Sequence, residues 1–194
     1  MKLSFLFIAV FAPVILLSAC SSHVEEKAGS QMKKTDKHIM VAPKMEKPSI
    51  DWTKPSGGEY PDIKQLKDVW IDVDVKQQKA YIKAGSKTIY TMIMSSGLDQ
   101  TNDVTPKGTF HIEPERGEWF FSEGYQEGAE YWVSWKNHGE FLFHSVPMTK
   151  DKKVIEKEAK KLGTKASHGC IRLAIPDAKW IYKNIPDHTK VVIS

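Results

Sequence analysis

Cysteine is nearly absent from this chain: its 194 residues hold two, Cys20 and Cys170. A disulfide scaffold is therefore excluded, and the fold must rest on its apolar core. No sign of charge dominates either. The 28 basic and 24 acidic residues leave a formal net charge of +4, which is mild over this length and weak ground for nucleic-acid binding. No internal repeat is visible. The one long apolar run, Leu3–Leu17, falls short of the ~20 residues a membrane-spanning helix needs and is quickly followed by polar residues. What remains is an ordinary globular balance, 41% hydrophobic and 10% aromatic, with six Trp. That suits one domain with a filled core or a peptide- or carbohydrate-facing cleft.

Lys2 followed by the Leu3–Leu17 run reads as a secretory leader. Its end, Leu17-Ser18-Ala19-Cys20, resembles the bacterial lipobox. That resemblance implies cleavage before Cys20, lipidation of its thiol and attachment to the outer face of a membrane. Two or three acyl chains anchor firmly, since each buried methylene contributes ~0.8 kcal/mol. A plain signal peptide or an uncleaved anchor are the alternatives. With Cys20 lipidated, Cys170 has no partner in the chain, and a lone exported thiol must be buried or used.

Residues 21–62 lack a hydrophobic period. They carry Pro43, Pro48, Pro55, Pro61 and the pair Gly57-Gly58, with seven lysines balanced by seven acids. Such a composition reads as a mixed-charge linker of ~35 Å root-mean-square reach. Trp52 and Tyr60 are the residues in it that could pack on the domain edge.

The folded domain is expected over residues 63–194 and is rich in strands. Val69, Ile71, Val73 and Val75 alternate with Trp70, Asp72 and Asp74, the period of a half-buried strand. Further strands are expected at Ala80–Lys83, Thr88–Met94, Thr109–Ile112, Glu140–Val146 and Lys190–Ile193. The Gly- and Glu-rich stretch after Ile112 reads as a loop. Asp151–Leu162 reads as an amphipathic helix ending at Gly163, and Asp177–Asn184 as a second helix between Pro176 and Pro186. The fold class predicted is mainly β, a sandwich or barrel-like sheet with one or two short helices.

The chemistry concentrates in Ser167-His168-Gly169-Cys170-Ile171-Arg172-Leu173. A thiol beside a glycine and near a histidine suggests a cysteine acyltransferase or peptidase. The histidine favours the thiolate, glycine lets a substrate approach the main chain, and turn N–H groups can form an oxyanion hole. Two residues apart in a strand point to opposite faces, so His168 need not be the base; His144, ending an apolar strand, is the other candidate. A zinc site of His144, His168 and Cys170 lacks a fourth ligand and any metal-binding spacing. His111, His138 and His188 read as surface or packing residues.

The segments SHGCIRL and FLFHSVP, with VWIDVDVKQQKAYI and MIMSSGLDQTNDVTPKGTFHI upstream, resemble the L,D-transpeptidase (YkuD-type) family over roughly the C-terminal two thirds of the chain. The resemblance implies Cys170 as nucleophile and His144 as general base. It also implies Ser145, Ser167, His168 and Gly169 as orienting or oxyanion-hole positions, with N–H groups around Gly169 and Cys170 receiving the oxyanion. Arg172 stands where the family often has Asn, and is either a salt-bridge residue or a substrate-carboxylate contact. Tyr131, Trp132 and Trp135 belong either to the core or to a substrate cleft. The 22 residues between His144 and Ser167 exceed the family's usual spacing, and an inserted helix accounts for them. The activity implied is transfer between peptidoglycan stem peptides through a cysteine acyl-enzyme, forming 3-3 cross-links without metal or cofactor. Water as acceptor would make the protein an L,D-carboxypeptidase, and a wall protein's amine would make it an anchoring enzyme. A non-catalytic wall-binding lipoprotein is the rival outside catalysis. The partners expected are stem peptides and, through the lipid, the membrane; no nucleic acid is expected.

Overall fold

A computed structural model describes residues 50–100 and 102–194. The leader, Cys20 and linker residues 21–49 lie outside the described residues.

Nine strands form one sheet: β1 (Val69–Asp74), β2 (Lys79–Ala84), β3 (Lys87–Ser95), β4 (Gly108–His111), β5 (Arg116–Ser122), β6 (Glu127–Lys136), β7 (Phe141–Ser145), β8 (Ile171–Leu173) and β9 (Lys190–Ile193). Among the described residues two helices accompany them, α1 (Glu156–Ala159) and α2 (Ile175–Asn184). The strand order is β4-β9-β1-β2-β3-β8-β7-β6-β5. Neighbours are antiparallel except β1 with β9 and β7 with β8. β4 and β5 stand at opposite ends of that order yet are separated in the chain by only residues 112–115. The sheet must therefore curl until its ends meet. Where they meet, Glu113 N–H donates to Ser134 O and Ser134 N–H to Glu115 O, joining the β4–β5 connection to β6.

The alternation read from β1 holds: Ile71 and Val73 are fully buried while Asp72 and Asp74 are not. Ile82, Met92, Met94, Val133, Phe143, Ile171 and Leu173 fill the same core, with Ile181 and Ile185 around α2 as its cover. A smaller core gathers Val146, Ala159, Leu162 and Ala174.

Three sequence expectations change. The Gly- and Glu-rich stretch is a hairpin, β5–β6, not a loop. Its glycines are places where a ring lies on the backbone: a Cβ on Gly117 would sit 2.6 Å from Trp132 Nε1, and one on Gly128 would sit 2.6 Å from the Trp119 ring. The Asp151–Leu162 helix shortens to α1, because Thr149 and Lys153 close a turn that pairs Val154 with Met148. Lastly, residues 50–62, assigned to the linker on composition, pack on the domain. Ile50 and Trp52 join the smaller core and Tyr60 joins the main one. Ile175 N–H donates to Trp52 O, while the Ser56 hydroxyl and the Tyr60 hydroxyl bond the buried Asp177 carboxylate at 2.5 and 2.7 Å. The apolar residues of this strap are too few to show a period, and its polar anchor, Asp177, is 121 residues from Ser56.

Candidate active site

β7 and β8 run parallel and side by side, with Phe143 opposite Ile171 and His144 opposite Arg172. This pairing brings His144 and the residue just before β8, Cys170, to the same cleft of ≈ 310 Å³. Phe120, Tyr125, Trp132 and Leu142 give it apolar and aromatic walls, and Glu127, Glu140 and Arg172 are its ionisable members beside His144, His168 and Cys170.

The Cys170 thiol is half-buried and lies between two main-chain groups. Leu142 N–H donates to Sγ at 3.4 Å, and the thiol donates to Glu140 O at 3.6 Å. Burial pushes the thiol up to about 11. Leu142 N–H and the Arg172 charge work against that rise, and the Glu140 charge adds to it.

His144 is buried, its ring edge-on to Phe120 with centroids 5.6 Å apart. Nδ1 lies 2.6 Å from Ser145 O. A carbonyl only accepts, so Nδ1 carries the hydrogen and Nε2 keeps the lone pair a base needs. Burial drives the imidazole down to about 3; the Arg172 charge helps and the Ser145 bond resists. Burial thus favours a thiol and a neutral imidazole over a preformed ion pair.

Ser145 is itself held, its hydroxyl accepting from Glu130 N–H at 2.9 Å and donating to Val146 O at 3.0 Å. The turn before Cys170 is tied from both sides. Ser167 Oγ donates to Cys170 O at 2.5 Å and accepts from Gly169 N–H at 3.0 Å. Thr105 Oγ1 donates to Gly169 O at 2.9 Å and accepts from Gly97 N–H. Gly169 has φ 126°, and a Cβ there would meet Phe141 Cε1 at 2.8 Å and Val104 O at 3.1 Å. Glycine is required on both counts. This narrows one expectation: Gly169 N–H is spent on Ser167, while Cys170 N–H has no partner among the described residues.

Arg172 is buried, with NH1 on Glu158 at 3.0 Å and NH2 on Glu127 at 2.9 Å. Both ends of its fork are taken, so it clamps α1 and the start of β6 to β8; its role as a substrate-carboxylate contact is replaced by that of a salt-bridge residue. Trp132 lines the cleft, but Tyr131 does not. Side chains alternate along β6, and Tyr131 packs instead against Tyr182 of α2 with centroids 5.9 Å apart. Trp135 is fully buried in the core. His168 is exposed at the cleft mouth, stacked on Tyr125 at 4.1 Å. Among the described residues, Glu113, Glu115 and His138 are grouped closely enough to suit a metal, away from the cleft, and His138 Nδ1 already pairs with Glu115 at 2.9 Å.

Sequence reasoning missed Thr105, Glu127, Glu140 and Glu158. Thr105 stood in a legible turn motif, but the acids looked like ordinary surface charge.

A family model described as the YkuD L,D-transpeptidase catalytic domain matches residues 68–193. The chain is 78% identical over 195 residues to the candidate L,D-transpeptidase YciB of Bacillus subtilis (strain 168), with both chains covered in full. Among solved structures, an L,D-transpeptidase from Mycobacterium smegmatis matches with a TM-score of 0.54 at 18% identity, covering 66% of this chain and 58% of that one. The L,D-transpeptidase LdtMt1 in complex with imipenem gives 0.52 at 18% identity, covering 66% and 59%. This chain spans less than two thirds of the length of either solved chain, and these two likenesses bear on the fold.

Proposed function

The chain belongs to the L,D-transpeptidase catalytic-domain family, and from that premise we propose that it transfers peptidoglycan stem peptides through a thioester on Cys170 to form 3-3 cross-links. The observation that carries this reading is the meeting of Cys170 and His144 in one cleft, with His144 Nδ1 fixed on Ser145 O.

Cys170 Sγ attacks the carbonyl of the L-centred third residue of a donor stem while His144 Nε2 takes the thiol proton. Attack and proton transfer are concerted, because burial disfavours both the free thiolate and the free imidazolium. Cys170 N–H meets the developing oxyanion, a contribution of ~3 kcal/mol for one good donor. His144 then returns the proton to the departing D-Ala amine, leaving the thioester. A side-chain amine of a second stem attacks the thioester next, and the amide it forms is the cross-link. With water in its place the product is a shortened stem, the carboxypeptidase outcome. Chromatography of muropeptides incubated with the protein tests the reading: a 3-3 linked dimer supports it, and shortened stems alone contradict the cross-linking assignment.

The anchor is a proposal of the same kind, resting on Leu17-Ser18-Ala19-Cys20. Lipid on Cys20 would hold the domain outside the cell membrane, facing the wall. Metabolic labelling with a fatty acid, lost in Cys20→Ala, checks it; labelling retained in that variant contradicts it.

A further inference from the structure

The chain as a whole is basic, yet its cleft is not. Among the described residues no lysine lines it, and the one arginine that does, Arg172, is buried with its fork divided between Glu127 and Glu158. Glu140 is different. It is exposed, lines the cleft and follows Gly139 just before β7. Its main-chain oxygen accepts from the Cys170 thiol at 3.6 Å. Its carboxylate touches Asn137 Nδ2 through Oε2 at 2.6 Å and leaves Oε1 without a partner among the described residues. The charge of that carboxylate adds to the upward push on the thiol. A carboxylate oxygen without a partner among the described residues, in a cleft whose arginine is already divided between two glutamates, suits a positively charged group.

We propose that the Glu140 carboxylate is the acceptor subsite, binding the primary alkylammonium that attacks the thioester. The inference rests on the transfer reaction proposed above and identifies what selects an amine over water. In the step itself the ammonium releases one proton to solvent. The amine nitrogen forms a bond to the acyl carbon, the C–Sγ bond breaks, and the second proton passes by way of His144 Nε2 to the departing sulfur. Amide, free thiol and one released proton result. Asn137 holds Oε2, and Oε1 is left for the ammonium.

The test uses the complete protein and one acyl-enzyme, formed from a stem tetrapeptide and seen by intact mass before any acceptor is added. The readout is the ratio of aminolysis to hydrolysis with a dipeptide bearing a side-chain ammonium. That ratio is internal to the acyl-enzyme, so changes in acylation do not enter it. In Glu140→Gln it should fall about fivefold, the scale of a partly exposed charge contact. Glu140→Lys should lower it further, and Glu140→Asp should restore part of it. With hydroxylamine, uncharged at neutral pH, the ratio should stay the same in all three. An unchanged ratio with the ammonium acceptor, or an equal fall with hydroxylamine, would overturn the subsite while leaving the transfer reaction intact. Failure of the unmodified protein to form any acyl-enzyme would overturn the transfer reading, and the subsite with it.

Discussion

His144 and Arg172 face each other across the parallel β7–β8 pair, so a buried imidazole has a buried guanidinium as its strand neighbour. Burial, with that charge second, keeps His144 neutral down to about pH 3, and Cys170 keeps its proton up to about 11. Alkylation of Cys170 in the free protein should therefore accelerate steadily between pH 7 and pH 10. A plateau reached below pH 7 would mean a preformed thiolate, against this account.

The same depressed His144 makes the fold sensitive to acid. Its unfolded value lies near 6.5, so between pH 6.5 and about 3 the unfolded chain binds a proton that the folded chain refuses. The stability it contributes is full above 6.5 and lost on acidification, by at most ~1.4 kcal/mol per pH unit. Melting curves of the unmodified protein and of His144→Gln, compared at pH 7 and pH 5, should show a smaller loss in the variant. Equal losses would mean that the imidazole is protonated in the fold.

Arg172→Lys keeps the charge but cannot clamp two carboxylates at once. Because Glu127 and Glu158 are partly exposed, the cost is put at about 2 kcal/mol, below that of a fully buried pair. Urea unfolding measures it. A variant as stable as the parent would show that the Glu127–Arg172–Glu158 clamp carries no weight.

The strap makes a shortened chain informative. A protein beginning at Ile63 loses Ser56 and Tyr60 and leaves the Asp177 carboxylate without those partners. Lost hydrogen bonds to that carboxylate together with lost packing from Trp52 amount to ~3 kcal/mol, or roughly 10 °C in Tm for a domain of this size. A chain beginning at Met45 keeps those bonds and should melt above the one beginning at Ile63. Equal melting of the two shortened chains would return residues 50–62 to the linker.

Gly169→Ala places a methyl against Phe141 and Val104 O at a backbone angle that L side chains rarely adopt. Displacement of the Cys170 turn should slow acylation at least about a hundredfold, since misplacement by ~1 Å costs that much. Stopped-flow acylation kinetics measure it, and near-normal rates would show that the turn tolerates the shift.

The sequence carried what local patterns encode. β1 was legible because it buries one face only, so Ile71 and Val73 alternate with aspartates. Cys170, His144 and Gly169 were legible as a resemblance to the family's motif. The β5–β6 hairpin was hidden because β5 is half-covered on both faces and the glycines of the pair seat indole rings. The Arg172 clamp and the Asp177 strap were hidden for another reason. Their partners lie 14, 45 and 121 residues away, and one sequence shows no sign that distant charges will meet.

The most direct test of the central claim is peptide mapping of the acyl-enzyme trapped from a stem tetrapeptide, with a carbapenem as a second acylating probe. The account predicts the acyl mass on the peptide holding Cys170, its absence in folded Cys170→Ser, and a much slower appearance in His144→Ala. Cross-linked product from folded Cys170→Ser, or an acyl group mapped to any other residue, would contradict it.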